Sequence, residues 1–247
     1  MTIPVADPVQ KHLQAKAPQM LALLRRIVEV ESPSLDRAAV NRCGKLVAEE
    51  LRQVGGKVVA HPSKTTGDHL EARFLSSGER AADGKSLMLL GHLDTVWGLD
   101  TLAQMPYRVA QGRAYGPGIF DMKAGVVIGL FALRCIHELG LPMRRPVTFL
   151  LNADEEIGSP SSRPLTERLA RRASAALVLE PALGPTGALK TSRKGVGEYL
   201  LQTRGRAAHA GLDPRKGASA ITELAHQLVT IQSLTDYSRA VSYTHLT

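Results

Sequence analysis

Leu87-Met88-Leu89-Leu90-Gly91-His92-Leu93-Asp94-Thr95-Val96 decides how the rest of the chain is read. Its first four residues form an unbroken apolar run, the pattern of a buried strand. The run ends in a histidine and a carboxylate two positions apart, and in extended backbone such residues point to the same side. Asp94 can therefore hydrogen-bond the His92 ring and hold the other ring nitrogen ready for a metal, the usual support of a zinc histidine. Taken alone, the pair is a weak signal for a metal, and a turn histidine beside a solvated aspartate is the readier reading. The choice rests on what the flanking sequence adds.

Upstream, residues 9–30 place Leu13, Ala17, Met20, Leu21, Leu24, Ile27 and Val28 at helical spacing. Ser32-Pro33-Ser34 stops that helix, and Ser34 or Asp36 can cap a second one bearing Val40, Cys43, Val47, Leu51 and Val54. Gly55-Gly56 ends it. Strand-like runs follow at 57–60 and 70–75.

Downstream, a turn-rich connection leads to Asp121, and residues 123–139 read as a buried helix. The strand at 147–151 runs into Asn152-Ala153-Asp154-Glu155-Glu156, and residues 164–173 read as a further helix. The strand at 176–179 then delivers Glu180 before Pro181. Strands alternating with helices predict an α/β fold with a mostly parallel central sheet covered by helices. Chemistry in such sheets gathers at the carboxyl ends of strands. His92, Asp94, Glu155, Glu156 and Glu180 all fall at such ends.

After Lys190 the pattern changes. Residues 191–195 read as a hinge, 197–203 as a strand and 205–211 as a loop. Asp213-Pro214 reads as the start of a helix whose apolar face is Ala218, Ile221, Leu224, Ala225, Leu228 and Ile231. One strand and one helix cannot bury a core alone, so this is the opening of a second small domain. The expected division is 1–193 and 194–247.

The 247 residues carry a formal charge of +8, which raises the question of nucleic acid. The basic residues are dispersed, and with 4% aromatics the chain has few platforms for stacked bases. The charge is read instead as a modest attraction for acidic small substrates. No apolar run is long enough to span a bilayer. The amino terminus lacks the charged-then-apolar pattern of a secretory signal, so a cytoplasmic protein is expected. Two isolated cysteines, Cys43 and Cys135, read as buried free thiols.

The acidic residues then need an explanation. One histidine with Asp121, Glu156 and Glu180, and Asp94 behind the histidine, is a donor set suited to zinc, and also to cobalt or manganese. Carboxylates gathered this closely repel one another unless cations lie among them. Two ions bridged by one carboxylate resolve the repulsion. In an extended segment Glu155 and Glu156 point opposite ways, so one can bind metal while the other faces the water as general base. By itself, Asp-Glu-Glu also reads as a solvated acidic turn.

Five motifs in order cover roughly residues 10–235 and resemble the dinuclear zinc metallopeptidase family of glutamate carboxypeptidase, acetylornithine deacetylase, succinyl-diaminopimelate desuccinylase and peptidase T. They are Gly91-His92-Leu93-Asp94-Thr95-Val96, the run from Ala114 to Lys123, the run from Asn152 to Ser159, Leu179-Glu180-Pro181, and Ala208-His209-Ala210-Gly211. The wording is nearest the glutamate carboxypeptidase branch. The resemblance implies a zinc exopeptidase-like α/β domain followed by the start of a small α+β dimerisation lid. It implies that His92, Asp121 and Glu180 hold one zinc, with Asp121 bridging to a second that Glu156 also binds. Asp94 would orient His92, and Glu155 would be the general base. His209 would sit on the lid, reach a partner subunit's site in a homodimer and help stabilise the oxyanion. The substrate implied is a peptide or N-acyl amino acid losing a C-terminal residue, glutamate being the one the nearest branch names. A deacylase or desuccinylase, or a non-catalytic binding protein on the same scaffold, are the alternatives.

The family pattern includes one more histidine ligand, after the lid. The last histidine here, His245, lies in Ser242-Tyr243-Thr244-His245-Leu246-Thr247, which continues neither a strand nor a helix, and it is not expected to be a ligand. The chain is read as ending inside the lid, with exposed sheet edges and at most feeble turnover as the expected consequence.

Overall fold

A computed structural model describes residues 6–77, 83–195, 197 and 199–239. The chain divides into two compact units, Met1–Leu189 and Lys190–Thr247. The expected tail at 242–247, His245 included, lies outside the described residues.

The first unit opens with two helices. Helix α1 (Ala6–Val28) buries Leu23, Leu24, Ile27 and Val28, and α2 (Arg37–Gln53) buries Val40, Cys43, Val47 and Leu51. Asp36 rather than Ser34 caps α2, its carboxylate accepting the Ala39 N–H at 2.9 Å. Strands β1 (Lys57–His61), β2 (His69–Phe74) and β3 (Ser86–His92) follow. A helical turn, α3 (Thr101–Gln104), and a hairpin of β4 (Arg108–Ala110) with β5 (Arg113–Tyr115) fill the turn-rich connection. Then come α4 (Ala124–Glu138), β6 (Val147–Asn152), α5 (Arg163–Ala170) and β7 (Ala173–Val178).

The strands lie in the order β1-β2-β6-β3-β7. Strand β3 pairs in parallel with β6 on one side and β7 on the other, while β2 is antiparallel to both β1 and β6. The sheet is therefore mixed, with β2 alone running against the other four strands. The three parallel strands matter most. They are neighbours, their carboxyl ends point the same way, and the register sets His92 opposite Asn152 and Leu90 opposite Val178. Adjacent strands lie about 4.8 Å apart. The residues that follow β6, β3 and β7 are thus delivered to one small region. The core between sheet and helices is built on Phe131, Phe149, Leu130, Leu151 and Ile27.

Both cysteines are buried and free. Among the described residues, no helix is long and apolar enough to cross a membrane.

The second unit contains helix α6 (Ala220–Ser233). Its cap is Ser219, whose hydroxyl accepts the Thr222 N–H at 3.1 Å. The expected start at Asp213-Pro214 is instead a separate short turn, Pro214–Lys216, and Gly217 lies beyond it in extended backbone. No described residue in the expected strand at 197–203 belongs to a strand. A strand requires a hydrogen-bonding neighbour, and among the described residues of this unit the strand-like pairing is a single bridge between Arg206 and Ala218.

Candidate metal centre

His92 is the last residue of β3, and 1% of its side chain is exposed. Its Nδ1 lies 2.9 Å from the main-chain oxygen of Asp94 and 3.5 Å from the Asp94 carboxylate. A carbonyl only accepts, so Nδ1 carries a hydrogen, and in the neutral ring Nε2 presents the lone pair. That nitrogen lies 3.1 Å from Asp121 Oδ1, 3.3 Å from Glu180 Oε1 and 3.8 Å from Glu155 Oε2. Ligand atoms of His92, Asp121 and Glu180 all lie within 4.8 Å of one another.

These groups create a strong demand for positive charge. Burial works against a charged imidazole, but Asp94, Glu180 and Glu155 outweigh it and the ring is pushed up to about 11. A divalent cation meets the same demand, and one imidazole nitrogen with carboxylate oxygens is a donor set that zinc, cobalt and manganese accept. The residues fit a metal.

Asp121 comes from the turn Ile119–Lys123 and is half exposed. Gly118 precedes that turn at φ 66, and a Cβ there would stand 2.5 Å from Thr95 Cγ2, so only glycine fits. Two neighbours anchor the turn. The Met122 sulfur accepts the His92 N–H at 3.3 Å. The buried Lys123 ammonium donates to Ile27 O at 3.2 Å and Val30 O at 3.0 Å, capping the end of α1.

Asp94 does more than face the histidine. Its carboxylate accepts Ser34 Oγ–H at 2.7 Å and the N–H groups of Glu155 and Glu156, each at 3.2 Å. Burial raises its pKa, and the bonds from His92 and Ser34 overcome this and hold it below the usual carboxylate range. The Glu155–Ile157 segment is a tight helical turn, not the extended backbone expected from the sequence. Glu155, not Glu156, is the residue whose carboxylate approaches His92. Burial raises the pKa of both, helped by Glu180 at Glu155 and by Asp121 at Glu156. Glu156 lies outside the three-residue group of converging donors, with Asp121 its main charged neighbour.

His209 belongs to the second unit and is exposed. Its Nδ1 accepts N–H groups from Gly211 at 3.1 Å and Leu212 at 3.2 Å, so the neutral ring carries its hydrogen on Nε2. Sequence reasoning missed Ser34, Met122 and Lys123. Ser34 was visible only as a helix stop or cap, and Met122 and Lys123 only as the end of the Ala114–Lys123 motif and the start of the next helix.

The model of peptidase family M20/M25/M40 matches residues 88–245, a span that holds His92, Asp94, Asp121, Glu155, Glu156 and Glu180. The chain belongs to this family. Within the M20 family it is 30% identical over 228 residues to carboxypeptidase G2 of Pseudomonas sp. (strain RS-16), an alignment covering 92% of this chain and 54% of that relative. Two solved structures share the fold. Aminopeptidase PepT of Bacillus cereus ATCC 10987 superposes with a TM-score of 0.63 at 21% identity, over 85% of this chain and 55% of its own. Human carnosine dipeptidase 1 gives 0.59 at 19%, over 69% and 40%. The chain spans about half the length of carboxypeptidase G2.

Proposed function

We propose that this chain carries the metal-binding catalytic unit of a cytoplasmic hydrolase that releases a C-terminal amino acid, glutamate in the first instance, from a peptide or N-acyl conjugate. The observation that carries the reading is the approach of Asp121, Glu180 and Glu155 to the one nitrogen His92 Nε2. Structural acidic clusters have no need of a buried histidine at their centre.

His92, Asp121 and Glu180 would hold one zinc ion, and Asp121 with Glu156 would hold a second. When bound, such ions lower the pKa of a water toward ~7 and polarise a carbonyl. The chain's own residues do the rest. Asp94 fixes the His92 tautomer and ties the Glu155–Glu156 turn to the end of β3. Glu155, its pKa raised by burial, takes a proton from the attacking water and passes it to the leaving amine. The second unit is the start of a lid on which His209 offers Nε2–H to an oxyanion, reaching across a homodimer. A donor of that kind contributes roughly 3–4 kcal/mol. The two buried free thiols accord with a reducing compartment.

Glu155→Ala tests the assignment. With Zn2+ and a peptide ending in glutamate, unaltered protein releases free glutamate, while the variant binds Zn2+ equally well and releases about a hundredfold less. Release by the variant at the original rate rejects Glu155 as the base.

A further inference from the structure

Behind the Glu155–Glu156 turn lie a histidine, a serine and an aspartate that the reaction above does not use. Ser161 Oγ is 3.0 Å from His69 Nε2 and 2.7 Å from Asp154 Oδ2. Asp154 is fully buried, and the same oxygen accepts the N–H groups of Ser161 at 2.7 Å and Ser162 at 3.0 Å. His69 is buried on β2, and its Nδ1 accepts the Ala153 N–H at 3.1 Å.

The hydrogens in this chain have a defined order. An amide N–H only donates, so His69 Nδ1 holds the lone pair and the neutral ring carries its hydrogen on Nε2. Burial lowers the His69 pKa, which keeps the ring neutral. Nε2–H then donates to Ser161 Oγ, and the serine hydrogen goes to Asp154 Oδ2. This is not a nucleophilic triad, in which the carboxylate grips the histidine and the histidine accepts the serine proton. Here Asp154 touches the serine, and His69 has no lone pair left to offer it.

We propose that His69, Ser161 and Asp154 are positioning residues that clamp the backbone at 153–154 and so aim Glu155 and Glu156 at the metal centre. The inference rests on the reading of Glu155 as base and Glu156 as ligand. The clamp draws on β2 through His69 and on the residues leading into α5 through Ser161 and Ser162. Ser159 N–H closes the turn onto Asp154 O at 2.8 Å. From the other side the Asp94 carboxylate holds the N–H groups of residues 155 and 156. A turn held by two buried carboxylates, 60 positions apart in sequence, is fixed in direction as well as in place.

Co2+ titration of the full chain, followed by its visible absorption band, reads the effect without turnover. Ser161→Ala should weaken Co2+ binding roughly tenfold and change the band, the scale seen when an outer support of a metal ligand is lost. Ser161→Thr and His69→Gln keep a donor and an acceptor and should restore binding to near the unaltered value. Leu165→Ala, a buried α5 position outside the clamp, should lower thermal stability while leaving Co2+ affinity unchanged. If Ser161→Ala does not fold, His69→Phe keeps the ring volume without its nitrogens and makes the same test. Unaltered affinity and spectrum in Ser161→Ala, or an equal loss in Leu165→Ala, overturns the proposal. Turnover that survives at the original rate in Glu155→Ala defeats the proposed function and leaves the clamp to be judged on Co2+ affinity.

Discussion

Replacing Gly125 with alanine forces apart two pieces of backbone that must touch for Glu180 to reach the site. Gly125 is the second residue of α4 and lies against the carbonyl of Leu179, the residue before Glu180. A Cβ at position 125 would stand 1.9 Å from Leu179 O, and real Cβ atoms essentially never come closer than 3.0 Å, so the two must separate by about 1 Å. Neither side yields easily. Leu179 N–H bonds Leu90 O at 2.9 Å, and α4 is fixed by buried Val126, Val127, Leu130 and Phe131. Metal–ligand distances tolerate about 0.2 Å, so a displacement of this size takes Glu180 out of the donor set. We expect Zn2+ affinity, measured by competition with a chromogenic chelator, to fall roughly ten- to hundredfold. Overpacking should also cost about 1–3 kcal/mol, or about 2–4 °C of melting temperature per kcal/mol. Gly129→Ala is the control. Its Cβ would meet the tip of the Leu179 side chain at 2.6 Å and the Phe149 ring at 3.0 Å, atoms that can move without shifting Glu180. It should lose stability and keep its affinity. Gly125→Ala with unaltered Zn2+ affinity would refute the argument that this close approach places Glu180.

Asp94→Ala leaves Ser34 Oγ and two turn N–H groups without their acceptor, and should cost about 2–3 kcal/mol by denaturant titration and at least tenfold in Zn2+ affinity. Saturating Zn2+ at 100 times its dissociation constant should stabilise the chain by about 2.7 kcal/mol, raising the melting temperature by roughly 5–10 °C, and a chelator should reverse the gain. Glu71 is buried on β2, where burial raises its pKa but Arg73 and His61 overcome this and hold it below the ordinary 4.5. The unfolded carboxyl therefore binds its proton first as pH falls. Its stabilisation is complete above about pH 4.5 and is lost below it as pH drops through the folded value. Glu71→Gln should flatten that part of the stability–pH curve and cost about 1–3 kcal/mol at neutral pH.

Much of the first unit was legible because its signals are local. Apolar periodicity marks α1, α2 and α4, the run ending at His92 marks β3, and the run ending at Asn152 marks β6. The alternation of strand and helix by itself places His92, Glu155, Glu156 and Glu180 at strand ends. Other features were not local. The antiparallel setting of β2 depends on which neighbour it meets across the sheet. The direction of the Glu155–Glu156 turn depends on bonds to Asp94, so the expected extended backbone gives way to a tight turn, and alternation alone did not say which glutamate approaches His92. In the second unit, Asp213-Pro214 carried a capping signal as good as Ser219, and the intervening extended Gly217 decided between them.

The sequence by itself determined which side chains are available for chemistry, since residue types, their spacing and their strand-end positions are written in one dimension. Only the tertiary structure decided that β6, β3 and β7 are adjacent, that Gly125 lets Leu179 close onto α4, that Lys123 ties the Asp121 turn to the end of α1, and that Ser34 and His69 support a site far from them in the chain. Periodicity reports a residue's relation to its own element. Convergence of carboxylates from separate elements is set by sheet order and close packing, which depend on contacts between residues that no local pattern connects.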